Sequence, residues 1–140
     1  MYTHILVPVD LAEKDKQASA LKVAADLSKH YDARLTLVSV TGGLQAEVSH
    51  SKDKYAGLLA EFAAELAEAE GIKVQSQVYD TPDPGVEVDR KLLLAIEEIG
   101  VDLVVMASHR PGWTEYLFNS HGGRLASHAP VSVFLVRDPD

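Results

Sequence analysis

The chain has 140 residues, 46% hydrophobic and 24% charged, an ordinary globular composition that fits one domain over 1–140 and can bury roughly 68% of its unfolded surface. It has no cysteine, which excludes disulfide and thiol chemistry and makes the cytoplasm the expected setting. Thirteen Lys and Arg against twenty-one Asp and Glu leave a net charge of −8, which argues against nucleic acid as a partner.

No apolar run approaches the ~18 residues needed to span a bilayer, so no membrane partner is expected. The opening MYTHILVPVD lacks the basic region and long apolar stretch of a signal peptide. Ile5 to Val9 is a short apolar β run in which Pro8 is tolerable only where the ladder is finishing. From about Lys14 to His30, apolar residues recur at Ala18, Leu21, Ala24, Ala25 and Leu27, the stripe of a helix. Leu35 to Val40 is a second strand, and Thr41 to Ser51 a weakly patterned loop. Lys52 to Glu70 is a helix with Leu58, Leu59, Phe62, Leu66 and Ala69 on one face, stopped by Gly71. Its glutamates Glu61, Glu65, Glu68 and Glu70 form a solvated face.

Ile72 to Tyr79 alternates apolar and polar residues, which suits the edge of a sheet. After a Pro-rich turn, Val86 to Ile99 is a helix closed by Gly100, and Val101 to Ala107 is a strand buried on both faces. A polar loop broken by Pro111 and Gly112 leads to a helix over Ser120 to His128, and Val131 to Val136 is the last strand. Five strands alternating with helices predict an α/β fold: a parallel, Rossmann-like sheet with right-handed crossovers and helices on both faces. Strands 1 and 4 are the most uniformly apolar and belong in the middle, which predicts the order 3-2-1-4-5. Its topological switch point lies between strands 1 and 4, and ligands in open α/β sheets bind there, outside the carboxyl ends of the strands. Two segments meet at that point: Pro8 to Asp10, and Ala107 to Ser120. The second runs from a buried strand to a helix N-terminus, where unpaired N–H groups and the helix dipole favour an anion.

ILVPVD at the start, VDLVVMASHRPG around strand 4 and SHAPVSVFLVR at the end resemble signatures of the universal stress protein family, in the same order and across essentially the whole chain. Ala107-Ser108-His109-Arg110-Pro111 followed by Tyr116, Leu117 and Ser120 is most similar to the small F/G-type bacterial branch. The resemblance implies a Rossmann-like domain of the adenine nucleotide α-hydrolase type, a homodimer paired through its last strands, and an adenine nucleotide site. In the nucleotide-binding members a G-x-x-G…G-[S/T] pattern shapes the phosphate loop. Its first glycine corresponds to Ala107, its last to Asn119 and its hydroxyl residue to Ser120; the middle glycine has no counterpart. Asn tolerates positive φ, so Asn119 can stand in for glycine, and Ala107 costs one methyl group of clearance.

The resemblance implies apolar walls for a base at Pro8, Val9 and Val40, with Met106 beside them; plain strand packing is the alternative. Asp10 either accepts a hydrogen bond from an adenine amino group or caps the following helix. Ser108, His109 and Arg110 flank the phosphate path, where Arg forks onto phosphate oxygens but an exposed loop arginine is commonly just solvated. Ser120 is a helix N-cap compatible with a phosphate contact, and His121 adjoins it. Gly122 and Gly123 in the first helical turn fit close approach of a ligand or partner, or a frayed start. A metal site from His109, His121 and His128 is disfavoured by irregular spacing and the lack of accompanying ligands. Trp113, Tyr116 and Phe118 form an aromatic cluster whose default reading is core packing; the alternatives are that it lids the site, covers the sheet end or faces a partner subunit. The apolar last strand, Val131 to Val136, lies at an edge that self-pairing in a two-fold dimer would cover.

The expected function is a cytoplasmic, homodimeric regulator or sensor binding ATP, or AMP or ADP, with Mg²⁺ held through the phosphates. No carboxylate pair, Ser/His/Asp arrangement or dedicated base marks a fast enzyme; slow ATP hydrolysis or self-phosphorylation is the most that is expected. The rivals are a nucleotide-free module acting through protein–protein contacts and an ATP-hydrolysing enzyme of the same fold.

Overall fold

A computed structural model describes residues 1–41, 52–81, 84–107 and 131–137. Five strands form one parallel sheet: β1 (His4–Pro8), β2 (Arg34–Thr41), β3 (Val74–Asp80), β4 (Leu103–Ala107) and β5 (Ser132–Val136). Their order is β3-β2-β1-β4-β5, as the apolarity of the strands predicts. Ile5 pairs with Leu35 on one side and Leu103 on the other, so β1 is hydrogen-bonded along both edges. All five of its residues are buried. The alternating, half-polar β3 lies at one edge and is buried only at Val78 and Tyr79. β5 lies at the other edge, and its Phe134 is 44% exposed.

Alternation along the strands splits the core in two. Ile5, Val7 and Val9 pack with Leu35, Leu37, Leu103 and Val105 beneath helices α1 (Ala18–Tyr31) and α2 (Lys52–Glu70). Leu6, Val38, Val104 and Met106 face the other way, against Leu92, Ala95 and Ile96 of α3 (Pro84–Ile99). Both stops foreseen for α2 and α3 are present: Gly71 and Gly100 take φ of +67° and +78°, a left-handed conformation that costs glycine nothing. α1 ends instead on Asp32 at φ 53°, its N–H bonded to the Ser28 carbonyl, an αL cap made by one of the few side chains that tolerate it. No helix among the described residues is long and apolar enough to cross a membrane.

Two expectations need correction. The first helix does not begin near Lys14: residues Leu11–Gln17 form short 3-10 turns with a non-helical Glu13 (φ −129°, ψ 30°), and α1 proper starts at Ala18. The cause is local, because the Asp10 carboxylate accepts the Ala12 N–H and Gln17 folds back onto the Asp10 N–H. The buried face of α2 is also rotated. Tyr55, Leu59 and Ala63 are buried, while Leu58 is 44% exposed and Ala69 is exposed. α2 lies beside α1, where Glu70 meets Lys29 at 2.8 Å and Lys22 at 3.2 Å.

At the amino ends of the strands one carboxylate joins the central pair. Asp102, just before β4, accepts the Thr3 N–H at 3.0 Å, the Thr3 hydroxyl at 3.1 Å and the His4 N–H at 3.1 Å. Its own N–H donates to the His4 carbonyl and its carbonyl accepts the Ser132 N–H, both at 3.0 Å. Burial opposes ionisation of Asp102, but the bonds from His4 and Thr3 outweigh it and hold the carboxyl below its usual range. Asp102→Ala should therefore cost about 1–3 kcal/mol in urea unfolding at neutral pH. A carboxyl with a lowered native pKa contributes stability above its unfolded pKa and loses it as pH falls through the native value. The gap between wild type and Asp102→Ala should accordingly close below about pH 4; a gap undiminished in acid would show that the bonds are not made by the ionised form.

Candidate functional site

The chain leaves β1 toward β2 on one side, while β4 lies on the other, so the strand order reverses between β1 and β4. The carboxyl ends of these strands therefore border a crevice. Past Pro8 the ladder continues one residue further, the Val9 N–H donating to the Val38 carbonyl at 2.8 Å. Asp10 follows at the crevice, 7% exposed, in an extended conformation (φ −117°, ψ 112°), with Oδ1 accepting the Ala12 N–H at 3.0 Å. Of its two alternative roles, the cap is thus observed. That bond engages Oδ1, and a carboxylate offers about four acceptor positions in all.

The remaining described residues expected at the site divide between the two faces of the sheet. Val9 and Ala107 belong to the α1/α2 side, Val40 and Met106 to the α3 side. Pro8, Val9 and Met106 are buried in strand packing, whereas Val40 and Ala107 are half-buried. Ser108, His109, Arg110, Asn119, Ser120 and His121 lie outside the described residues, as do Trp113, Tyr116, Phe118, the Gly122-Gly123 pair, His128 and the expected helix over 120–128. Among the described residues, no three His, Cys, Asp or Glu side chains are placed to hold a metal ion.

The structure adds a polar layer at this end that sequence reasoning missed. The Ser39 hydroxyl donates to the Val9 carbonyl at 2.6 Å, Gln17 Oε1 accepts the Asp10 N–H at 3.1 Å, and the Tyr55 hydroxyl accepts the Leu11 N–H at 3.2 Å. Next to them the Thr81 N–H donates to the Thr41 carbonyl at 2.9 Å, and the Thr41 hydroxyl reaches Asp80 at 3.4 Å. One signal was available. Ser39 and Thr41 place hydroxyls toward the carboxyl end of a largely buried strand, and a hydroxyl buried there needs an acceptor.

A model of the universal stress protein family matches residues 1–137. The chain belongs to that family. A universal stress protein A homologue of Haemophilus influenzae is 30% identical over 125 residues, 84% of each chain. Universal stress protein G of Shigella flexneri is 29% identical and covers 98% of this chain and 100% of its own. Among solved structures, a family member from Burkholderia pseudomallei superposes with a TM-score of 0.69 at 23% identity, covering 96% of both chains. A universal stress protein in complex with cAMP gives 0.66 at 16% identity, covering 97% of both. One from Archaeoglobus fulgidus in complex with dAMP gives 0.63 at 17%, covering 96% of this chain and 97% of its own. At these identities the structures establish the fold, which is the Rossmann-like sheet of universal stress proteins.

Within this universal stress fold, the edge strand β3 is fastened to α3 by one bond from the Tyr79 hydroxyl to Glu98 Oε2 at 2.9 Å. Burial, then the bond to Glu98 and its negative charge, push the phenol up from 10.0 to about 12. A phenol with a raised native pKa contributes stability that is fully present below its unfolded value and lost as pH rises through the native one. Ultraviolet titration should therefore show one tyrosine ionising near about pH 12, absent in Tyr79→Phe and shifted down in Glu98→Gln. A wild-type titration unchanged by Tyr79→Phe at high pH would show that this bond is not made.

Proposed function

We propose that this universal stress-type protein is a regulator or sensor that binds an adenine nucleotide, ATP foremost with AMP and ADP as related ligands, at the carboxyl ends of β1 and β4. The observation that carries this reading is the position of Asp10, a buried carboxylate held in a fixed turn at the switch point of the sheet. There it can accept a hydrogen bond from the exocyclic amino group of adenine. Val40 and Ala107, half-buried at the ends of neighbouring strands, offer apolar surface to a base, with Pro8, Val9 and Met106 behind them. The reading assigns Ser108, His109, Arg110, Asn119, Ser120 and His121 to the phosphates. Mg²⁺ would be held through phosphate oxygens and water, as its coordination preferences favour. Complexes of two family members with cAMP and dAMP support the same ligand class. Occupancy of the site would be the signal, with at most slow hydrolysis or self-phosphorylation.

Equilibrium binding tests the reading. Wild type should bind ATP with a submillimolar Kd, and Arg110→Ala and Ser120→Ala should each weaken it, the arginine by about tenfold or more if it forks onto phosphate. Asn119→Gly should bind as well as wild type or better. No affinity below the millimolar range, with and without Mg²⁺, would overturn the proposal in favour of a nucleotide-free interaction module. Stoichiometric ATP turnover in a single-turnover assay would instead place the protein among enzymes of the fold.

The same reading makes the protein a cytoplasmic homodimer through Val131 to Val136. The support is an edge strand, β5, that carries Phe134 at 44% exposure and the half-buried Val133, Leu135 and Val136. An exposed apolar edge of this kind is a pairing template, and a two-fold axis is the simplest closure. Sedimentation velocity should give a dimer for wild type and a monomer for Phe134→Lys. A wild type that stays monomeric at micromolar concentration rules the interface out.

A further inference from the structure

Asp10 is held more tightly than a cap requires. In the peptide unit before it, the Val9 carbonyl accepts the Ser39 hydroxyl at 2.6 Å and the Asp10 N–H donates to Gln17 at 3.1 Å. In the peptide unit after it, the Asp10 carbonyl accepts the Glu13 N–H at 3.0 Å and the Leu11 N–H donates to Tyr55 at 3.2 Å. Both peptide planes that aim the Asp10 side chain are thus fixed at both ends, and three of the four bonds are made by side chains.

Tyr55 stands apart among the three. It belongs to α2, a different element from the turn, and is 4% exposed. Its hydroxyl accepts from Leu11 and donates to Ser39 Oγ at 3.4 Å, and the Ser39 hydroxyl in turn donates a hydrogen bond to the Val9 carbonyl. One phenol therefore reaches both sides of Asp10, directly on one and through a serine on the other. Packing alone does not call for that oxygen, since phenylalanine fills the same space. Without it the part-buried Leu11 N–H loses its partner, and an amide left unpaired there favours a shift of the turn toward another acceptor.

We propose that Tyr55 is a positioning residue of the nucleotide site: its hydroxyl sets the peptide planes around Asp10, and so makes α2 the element that senses whether the site is occupied. The proposal rests on the adenine nucleotide reading above. Tyr55 touches no ligand in it; it acts through the backbone that carries the ligand-binding carboxylate.

The test uses the full chain as wild type, Tyr55→Phe, Ser39→Ala and Leu59→Val, the last a buried α2 residue that trims packing but leaves the hydroxyls in place. Two quantities are read: amide hydrogen exchange without ligand, and the Kd for ATP by calorimetry. Tyr55→Phe should speed exchange at Leu11 and Ala12 selectively and weaken ATP binding about fivefold, the loss of one hydrogen bond. Ser39→Ala should weaken it in the same direction. Leu59→Val should lower stability and leave the Kd unchanged, which separates positioning from mere folding. In wild type, ATP should slow exchange in the first turns of α2, and in Tyr55→Phe it should not. If wild type binds ATP and Tyr55→Phe binds it equally well, this proposal fails and the nucleotide reading stands. If wild type binds no ATP, both fall.

Discussion

The structure depends on one constraint: β1 and β4 are covered by helices or neighbouring strands on every side, so each of their backbone polar groups must find a partner inside the protein. Along the strands the ladders meet that demand, Ile5 to Pro8 pairing with Leu35 to Val38 on one side and Ile5 and Leu6 with Leu103 and Val104 on the other. At the strand ends the ladders run out and side chains replace them. Asp102 does so at the amino end, collecting the N–H groups of Thr3 and His4. Ser39, Gln17 and Tyr55 do so at the carboxyl end. Asp102, Ser39, Gln17 and Tyr55 therefore sit where the backbone would otherwise be orphaned.

That requirement bears differently on the two ends. At the amino end the chain enters β4 directly from the turn after α3, and a single aspartate closes the account. At the carboxyl end the strand order reverses between β1 and β4, the place where open α/β sheets form a crevice. A fixed carboxylate beside such a crevice lowers the entropic cost of binding, because the groups a ligand meets are already ordered by folding. The division of Val9 and Ala107 from Val40 and Met106 across the sheet has the same origin. The crevice lies at the rim where both faces end, and only residues at the very ends of strands keep surface there.

Much of the fold was legible because its signals are local. Short apolar runs bounded by breakers gave five strands within two residues of their ends, and the half-polar pattern of 72–79 marked the β3 edge. Gly71 and Gly100 announced two helix stops through a backbone conformation that glycine adopts freely. The position of Asp10 followed from topology and needed no side-chain detail. The expected helix start at Lys14 failed because Gln17 turns back on Asp10, a bond seven residues long that no helical period encodes. Tyr55 was missed for a stronger version of the same reason: its partners Leu11 and Ser39 are 44 and 16 residues away, and nothing in 52–70 distinguishes a tyrosine that packs from one whose hydroxyl also bonds the turn.

The two readings of Asp10, helix cap and ligand carboxylate, therefore do not compete. A cap must have its backbone extended and its carboxylate turned toward the following amides, and Asp10 shows both. The same geometry holds the carboxylate at the rim of the crevice, oriented by the Ala12 amide of its own turn. A neutral amide donor stabilises the turn through a well-aligned dipole. In this family member, the chemistry that finishes a buried strand and the chemistry that would read an amino group are the same carboxylate in one conformation.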